Sequence, residues 1–283
     1  MSVERPARRF PLALGRIAST RGDTRASGSN AAARALPAEP IRPQSPLAAA
    51  HADSGRRTRA VGLGLDSADV RARMVERLRH EGVLHPRVLA AFAAVPRHVF
   101  VDTALATQAY EDTSLPIGHG QTISKPSVVA RMLELLFGGA NAQAAGDLGA
   151  VLEIGTGCGY QAALLCRAGR RVVSVERLKP LHDKARELLA PLRSTRLRLV
   201  YGDGMLGHAP GAPYDSIIAA AGGDAIPDAW LDQLAVGGRL VSPVQDPGGR
   251  GQVLVVVDRR ENGYARSVHE AVKFVPLKSG LAR

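Results

Sequence analysis

An α/β fold of the doubly wound, mostly parallel kind, closed by an antiparallel hairpin near the C-terminus, is predicted by three observations. Val151-Leu152-Glu153-Ile154 is a short apolar run that ends in Gly155-Thr156-Gly157-Cys158-Gly159, after which Tyr160 to Leu165 opens a helix. That is a strand, a glycine loop without Cβ atoms to block a ligand, and a helix start with free N–H groups. Two further short strands, Arg171 to Val175 and Leu197 to Val200, are each followed by an acidic residue, Glu176 and Asp203. Last, Gln252 to Val257 and Tyr264 to Val275 read as two long strands joined by Arg259-Arg260-Glu261-Asn262-Gly263.

In chain order, residues 1–62 are rich in Arg, Ala, Pro and Ser without a sustained apolar period, and read as a disordered tail. Residues 63–283 read as one domain, with N-terminal helices and a substrate loop over 63–137 and the cofactor-binding sheet over 138–283. Asp66 or Ser67 is positioned to cap a first helix with Val70, Met74, Val75 and Leu78 at helical spacing. A second helix is expected from Pro86 to Ala94. The segment Tyr110 to Pro126 carries glycines, prolines and hydroxyl residues and reads as a loop leading into a helix from Pro126 to about Leu136, with Ser124 as its cap. Residues 138–149 read as a surface linker. After the third strand, Tyr214 to Ala221 reads as a fourth strand, Ile226 to Leu234 as a helix, and Gly237-Gly238 as the turn into a strand from Arg239 to Val244.

The loop chemistry narrows the ligand. A dinucleotide fingerprint needs a small third residue five positions after the first glycine, where this chain has Tyr160. Glu153 would repel a phosphate but suits an ammonium or sulfonium charge, Glu176 suits ribose hydroxyls, and Asp203 suits an adenine amino group. Together they point to S-adenosyl-L-methionine. The 110–126 loop offers hydroxyls and N–H groups to a carboxylate.

Composition sets outer bounds. The net charge is +11, but the first sixty residues hold eleven arginines, no lysine and four carboxylates, so most of the basicity lies in the tail. A nucleic-acid partner is therefore disfavoured, though the tail leaves it open. Cys158 and Cys166 lack metal-ligand spacing and suit a reducing, cytoplasmic compartment. Neither a metal nor a membrane segment is expected.

The chain resembles the protein-L-isoaspartate O-methyltransferases from about Asp66 to Leu277. The resemblance rests on Ala94-Val95-Pro96-Arg97 with Phe100-Val101, Leu115-Pro116-Ile117-Gly118 with Gly120-Gln121-Thr122-Ile123-Ser124, the Glu153 to Tyr160 loop, Gly202-Asp203-Gly204, and Phe274-Val275-Pro276-Leu277. It implies a Rossmann-like class I S-adenosylmethionine-dependent methyltransferase fold and methylation of the α-carboxylate of isoaspartyl residues in damaged proteins and peptides, whose esters collapse to a succinimide. By position it implies Ser124 as the active-site residue. Thr122, Ile123, Glu153, Gly155, Thr156, Gly157, Gly159, Glu176, Arg177, Asp203 and Gly204 fall at the cofactor, and Ile123, Ser124, Val275, Pro276 and Leu277 at the substrate. A monomer is expected. The chain departs from the short family members in its Arg-rich tail and in its early end, past which some relatives continue with residues that help close the site. An RNA or small-molecule methyltransferase and a non-catalytic S-adenosylmethionine-binding module are the alternatives that the glycine loop leaves open.

Overall fold

The computed structural model describes residues 68–246, 248–249 and 251–282. The expected tail, and a cap at Asp66 or Ser67, lie outside them.

Among the described residues, seven α-helices and nine strands follow in order: α1 Ala68–His80, α2 Pro86–Ala94, β1 Leu115–Gly118, β2 Gln121–Ile123, α3 Pro126–Phe137, α4 Ala140–Ala145, β3 Ala150–Ile154, α5 Tyr160–Ala168, β4 Arg171–Glu176, α6 Lys179–Leu189, β5 Leu197–Tyr201, β6 Tyr214–Ala219, α7 Asp228–Gln233, β7 Leu234–Gln245, β8 Gln252–Arg260 and β9 Gly263–Val272. The last seven strands form one sheet in the order β5-β4-β3-β6-β7-β8-β9. Its β5-to-β7 part is parallel, and β8 and β9 are antiparallel. The strand order reverses direction at β3, so the crevice beyond the carboxyl ends of β3 and β6 is where a ligand is expected in such a sheet.

Alternation along the strands divides the core. Val151, Val172, Ile218 and Val241 face one side, against the apolar faces of α2, α3, α5 and α6. Leu152, Ile154, Val173, Val175 and Ile217 face the other, where Trp230 of α7 is fully buried. The second layer is light, a six-residue helix and short turns.

Three segments depart from expectation. The 110–126 loop contains an antiparallel hairpin, with Leu115 opposite Ile123 and Pro116 opposite Thr122. The 138–149 linker contains α4, closed by Gly146 at φ 69°. Gly237-Gly238 does not precede β7 but lies within it. Tyr214 pairs with Leu234 and Ser216 with Arg239, and the surplus residues of β7 bulge out where Gly237 adopts φ 78°.

Candidate active site

A cavity of about 220 Å³ lies at the switch point, between the loops after β3, β4 and β6, the β1–β2 hairpin and the C-terminal residues. Its floor is the glycine loop. Gly155, Gly157 and Gly159 all have positive φ, at 89°, 56° and 93°. A Cβ on Gly159 would sit 2.6 Å from Leu189 Cδ1 of α6, and one on Gly157 would sit 3.2 Å from Ile117 Cδ1 of the hairpin. Glycine there is required both by conformation and by close approach. Tyr160, the residue that excludes a dinucleotide fingerprint, is buried edge-on to Phe92 and Phe100 with the Arg97 guanidinium 4.9 Å from its ring centre. It ties the N-terminal helices to the loop.

The three strand-end carboxylates have three different fates. Glu176 lines the cavity; Oε2 accepts from the Gly157 N–H at 2.9 Å and Oε1 from the Leu178 N–H at 2.9 Å. A carboxylate has about four acceptor positions, so some remain for a ligand's hydroxyls. Glu153 corrects the expectation of a charge facing the cofactor. It is fully buried and does not line the cavity. Ser174 Oγ donates to its Oε2 at 2.5 Å, and Thr156 Oγ1 lies 2.6 Å from the same Ser174 Oγ. Burial pushes its carboxyl up to about 8, so it is mainly protonated at neutral pH and braces the loop from beneath. Asp203 is engaged by two backbone N–H groups. Its Oδ1 accepts from the Met205 N–H at 2.9 Å and its Oδ2 from the Gly280 N–H at 2.6 Å, and only its neighbour Gly204 reaches the cavity wall. It caps a turn and holds the C-terminal segment, and like Glu176 it keeps acceptor positions beyond these two.

On the opposite wall, Thr122, Ile123 and Ser124 leave β2 and enter α3. Ser124 is not the cap of α3. The Ser127 N–H and Oγ both donate to Asp112, at 2.9 and 2.8 Å, so the first turn is capped from fifteen residues upstream. The Ser124 hydroxyl makes no hydrogen bond among the described residues and borders the cavity. Its carbonyl is fixed instead: Arg97 Nη2 donates to Ser124 O at 2.8 Å and to Thr113 O at 3.3 Å, holding both ends of the hairpin segment. Arg97 is fully buried, and burial lowers its affinity for a proton, with Tyr160 opposing.

Val275, Pro276 and Leu277 also line the cavity. The Gly222 N–H donates to Val275 O at 2.9 Å and the Leu277 N–H returns to Gly222 O at 2.8 Å. Beyond them the chain crosses to the end of β4, where Arg177 Nε donates to Gly280 O at 2.8 Å and the Lys179 N–H to Ala282 O at 2.9 Å. Residues 275–282 thus form a strap over the strand ends. Arg177 serves that strap and lines the cavity as well.

Gln161, His119, Leu178, Ala220 and Lys278 are among the other lining residues. Ala220 belongs to the small residues at the end of the fourth strand that leave room for a methionine moiety; the other four did not stand out in the sequence, because each sits in a loop or helix start whose placement only the fold reveals. Among the described residues no helix is long and apolar enough to cross a membrane, and no group of three or more His, Cys, Asp or Glu is placed to hold a metal.

A parallel sheet with a glycine loop at its switch point, an acidic residue at the next strand end and an antiparallel closing hairpin defines the class I methyltransferase fold. Two solved structures share it. One, a protein-L-isoaspartate O-methyltransferase, is 28% identical with a TM-score of 0.66, covering 75% of this chain and 67% of its own. The other, from Plasmodium falciparum and in complex with S-adenosyl-L-homocysteine, is 23% identical with a TM-score of 0.59, covering 73% of this chain and 97% of its own. The family described as protein-L-isoaspartate(D-aspartate) O-methyltransferase matches residues 69–282, and the chain belongs to it. Relatives bearing the name protein-L-isoaspartate O-methyltransferase include one from Methylibium petroleiphilum, 61% identical over 98% of both chains, and one from Leptothrix cholodnii, 58% identical over 99% of this chain and 98% of its own.

Proposed function

We propose that the protein methylates the α-carboxylate of L-isoaspartyl residues in damaged proteins and peptides, with S-adenosyl-L-methionine as methyl donor. The observation that carries this reading is the Ser124 hydroxyl, released from capping by Asp112 and set at the wall of a cavity whose floor is built for a nucleoside. The residues fit the cofactor. Gly155 and Gly157 present bare backbone to the cavity, and Glu176 keeps acceptor capacity toward it. When bound, the cofactor supplies an activated methyl group.

The chain's own part is positioning. A peptide α-carboxylate has a pKa of about 3.5 and is already ionised at neutral pH, so no general base is required. Its reactivity is limited by hydration. Ser124 donates to one carboxylate oxygen, Ile123 and Val275 to Leu277 displace water around it, and Arg97 keeps the Ser124 backbone from drifting. Orientation and solvent replacement are the effects such a site can supply. Thr122 and Ile123 on one wall and Arg177 and Gly204 on the other enclose the cofactor between them.

The test is the nature of the product. Methyl-labelled cofactor incubated with an isoaspartyl peptide should give label that mild base releases, as an ester does. Base-stable label would mean that the acceptor is not a carboxylate, and would overturn the reading.

A further inference from the structure

Beside the methyl-transfer cavity runs a second, open groove of about 740 Å³, between the hairpin segment and the end of β9. The two are continuous, since Thr122, Ser124, Val275 and Pro276 line both. The remaining groove wall carries two charges of one sign, Lys125 on the hairpin side and Lys273 on the β9 side, and no carboxylate. Both lysines are exposed, and neither has an ion-pair partner among the described residues. Two acids of the adjoining segments are engaged elsewhere: Glu270 with Arg131 at 2.9 Å, and Asp112 with Ser127. Lys278, at the rim of the inner cavity, is likewise exposed and unpaired among the described residues.

An isoaspartyl linkage routes the backbone through the side-chain carboxyl, so the α-carboxylate projects as a branch. When that branch enters the cavity at Ser124, the peptide on either side has to leave through an opening that begins there. The groove begins there, and β9 is the outer strand of the sheet, with backbone groups free on its open edge to meet an extended segment.

We propose that this groove is the track of the substrate chain flanking the isoaspartyl residue, and that Lys125 and Lys273 make the enzyme favour damaged segments with acidic neighbours. This rests on the methylation reading above and adds a substrate class to it. Exposed pairs of this kind are weak and salt-sensitive, so selection is by graded preference.

The test uses the full chain and three peptides with the same isoaspartyl residue, flanked by Glu, by Gln or by Lys. Wild-type kcat/KM should fall in that order, with roughly a three- to tenfold span between the Glu and Lys peptides at low ionic strength that shrinks as salt is added. In the doubly substituted Lys125→Glu/Lys273→Glu protein the order should invert. The Gln peptide is the reference within each protein, so the ratios do not depend on how much of a variant is folded. Equal rates on all three peptides, or an order unchanged by the double substitution, would overturn the groove assignment while leaving the methylation reading intact. No methylation of any of the three by a wild-type protein that binds cofactor would overturn the methylation reading, and this inference with it.

Discussion

The floor of the cavity, residues 153–160 with the end of β4, is enclosed by apolar packing, whereas its rim, residues 113–125 and 275–282, is held by polar groups reaching across long sequence gaps. On the floor, Tyr160, Ile154 and Val175 are buried, a Cβ on Gly159 would collide with Leu189, and one on Gly157 would crowd Ile117. On the rim, Arg97 grips two carbonyls, Asp112 caps a distant helix, and Arg177 and Asp203 hold Gly280. The difference teaches that the floor resists change in volume, while the rim resists loss of single donors and acceptors.

Ranked by their effect on methyl transfer, four substitutions sharpen or break that contrast. Gly159→Val should be the most severe. A non-glycine at φ 93° that also meets Leu189 is expected to cost roughly 2–5 kcal/mol and to remove cofactor binding, read by denaturant unfolding and by titration calorimetry. Ser124→Ala should lower kcat about 10- to 100-fold, the range for losing a hydrogen bond to a charged group, with cofactor Kd within twofold. An unchanged kcat would remove Ser124 from the mechanism. Arg97→Met should lower kcat/KM by about tenfold through the freed hairpin carbonyls. Its thermal stability should change less than expected for a lost ion pair, because among the described residues the buried guanidinium makes no salt bridge to a carboxylate.

Glu153→Gln should act on stability more than on the chemical step. In the unfolded chain this carboxyl ionises near 4.5 and in the fold near 8. Between those values the folded protein keeps a proton that the unfolded chain has lost, so stability falls as pH rises through the window. The wild type should therefore lose unfolding free energy between pH 5 and pH 8 relative to Glu153→Gln, measured by urea melts across that range. Parallel pH profiles would return Glu153 to an ionised, cofactor-facing role.

The same contrast explains what was legible in the sequence. The strand, loop and helix from Val151 to Leu165 stand close to where their pattern put them, because a buried strand and a helix of 3.6-residue period announce themselves locally. The β1–β2 hairpin did not. Its strands have four and three residues, one contains Pro116, and the turn is set by positive φ at Gly118, His119 and Gly120. Gly237 read as a turn because a bulge inside a strand has the same local composition. The site carried the same limit. Glu153, Glu176 and Asp203 share a residue class and a strand-end position, yet only Glu176 lines the cavity. What separates them is Ser174 beneath one and Gly280 beside another, contacts 21 and 77 residues away. Residue type and spacing showed that a site exists here; division of labour within it depends on non-local partners.

The measurement that tests the central claim most directly is methyl transfer to two synthetic peptides identical except for one linkage, isoaspartyl in one and normal aspartyl in the other. With the α-carboxylate delivered as a branch to Ser124, label should accumulate on the isoaspartyl peptide alone. Equal label on both peptides, or label on neither from protein shown to bind the cofactor, would contradict the assignment.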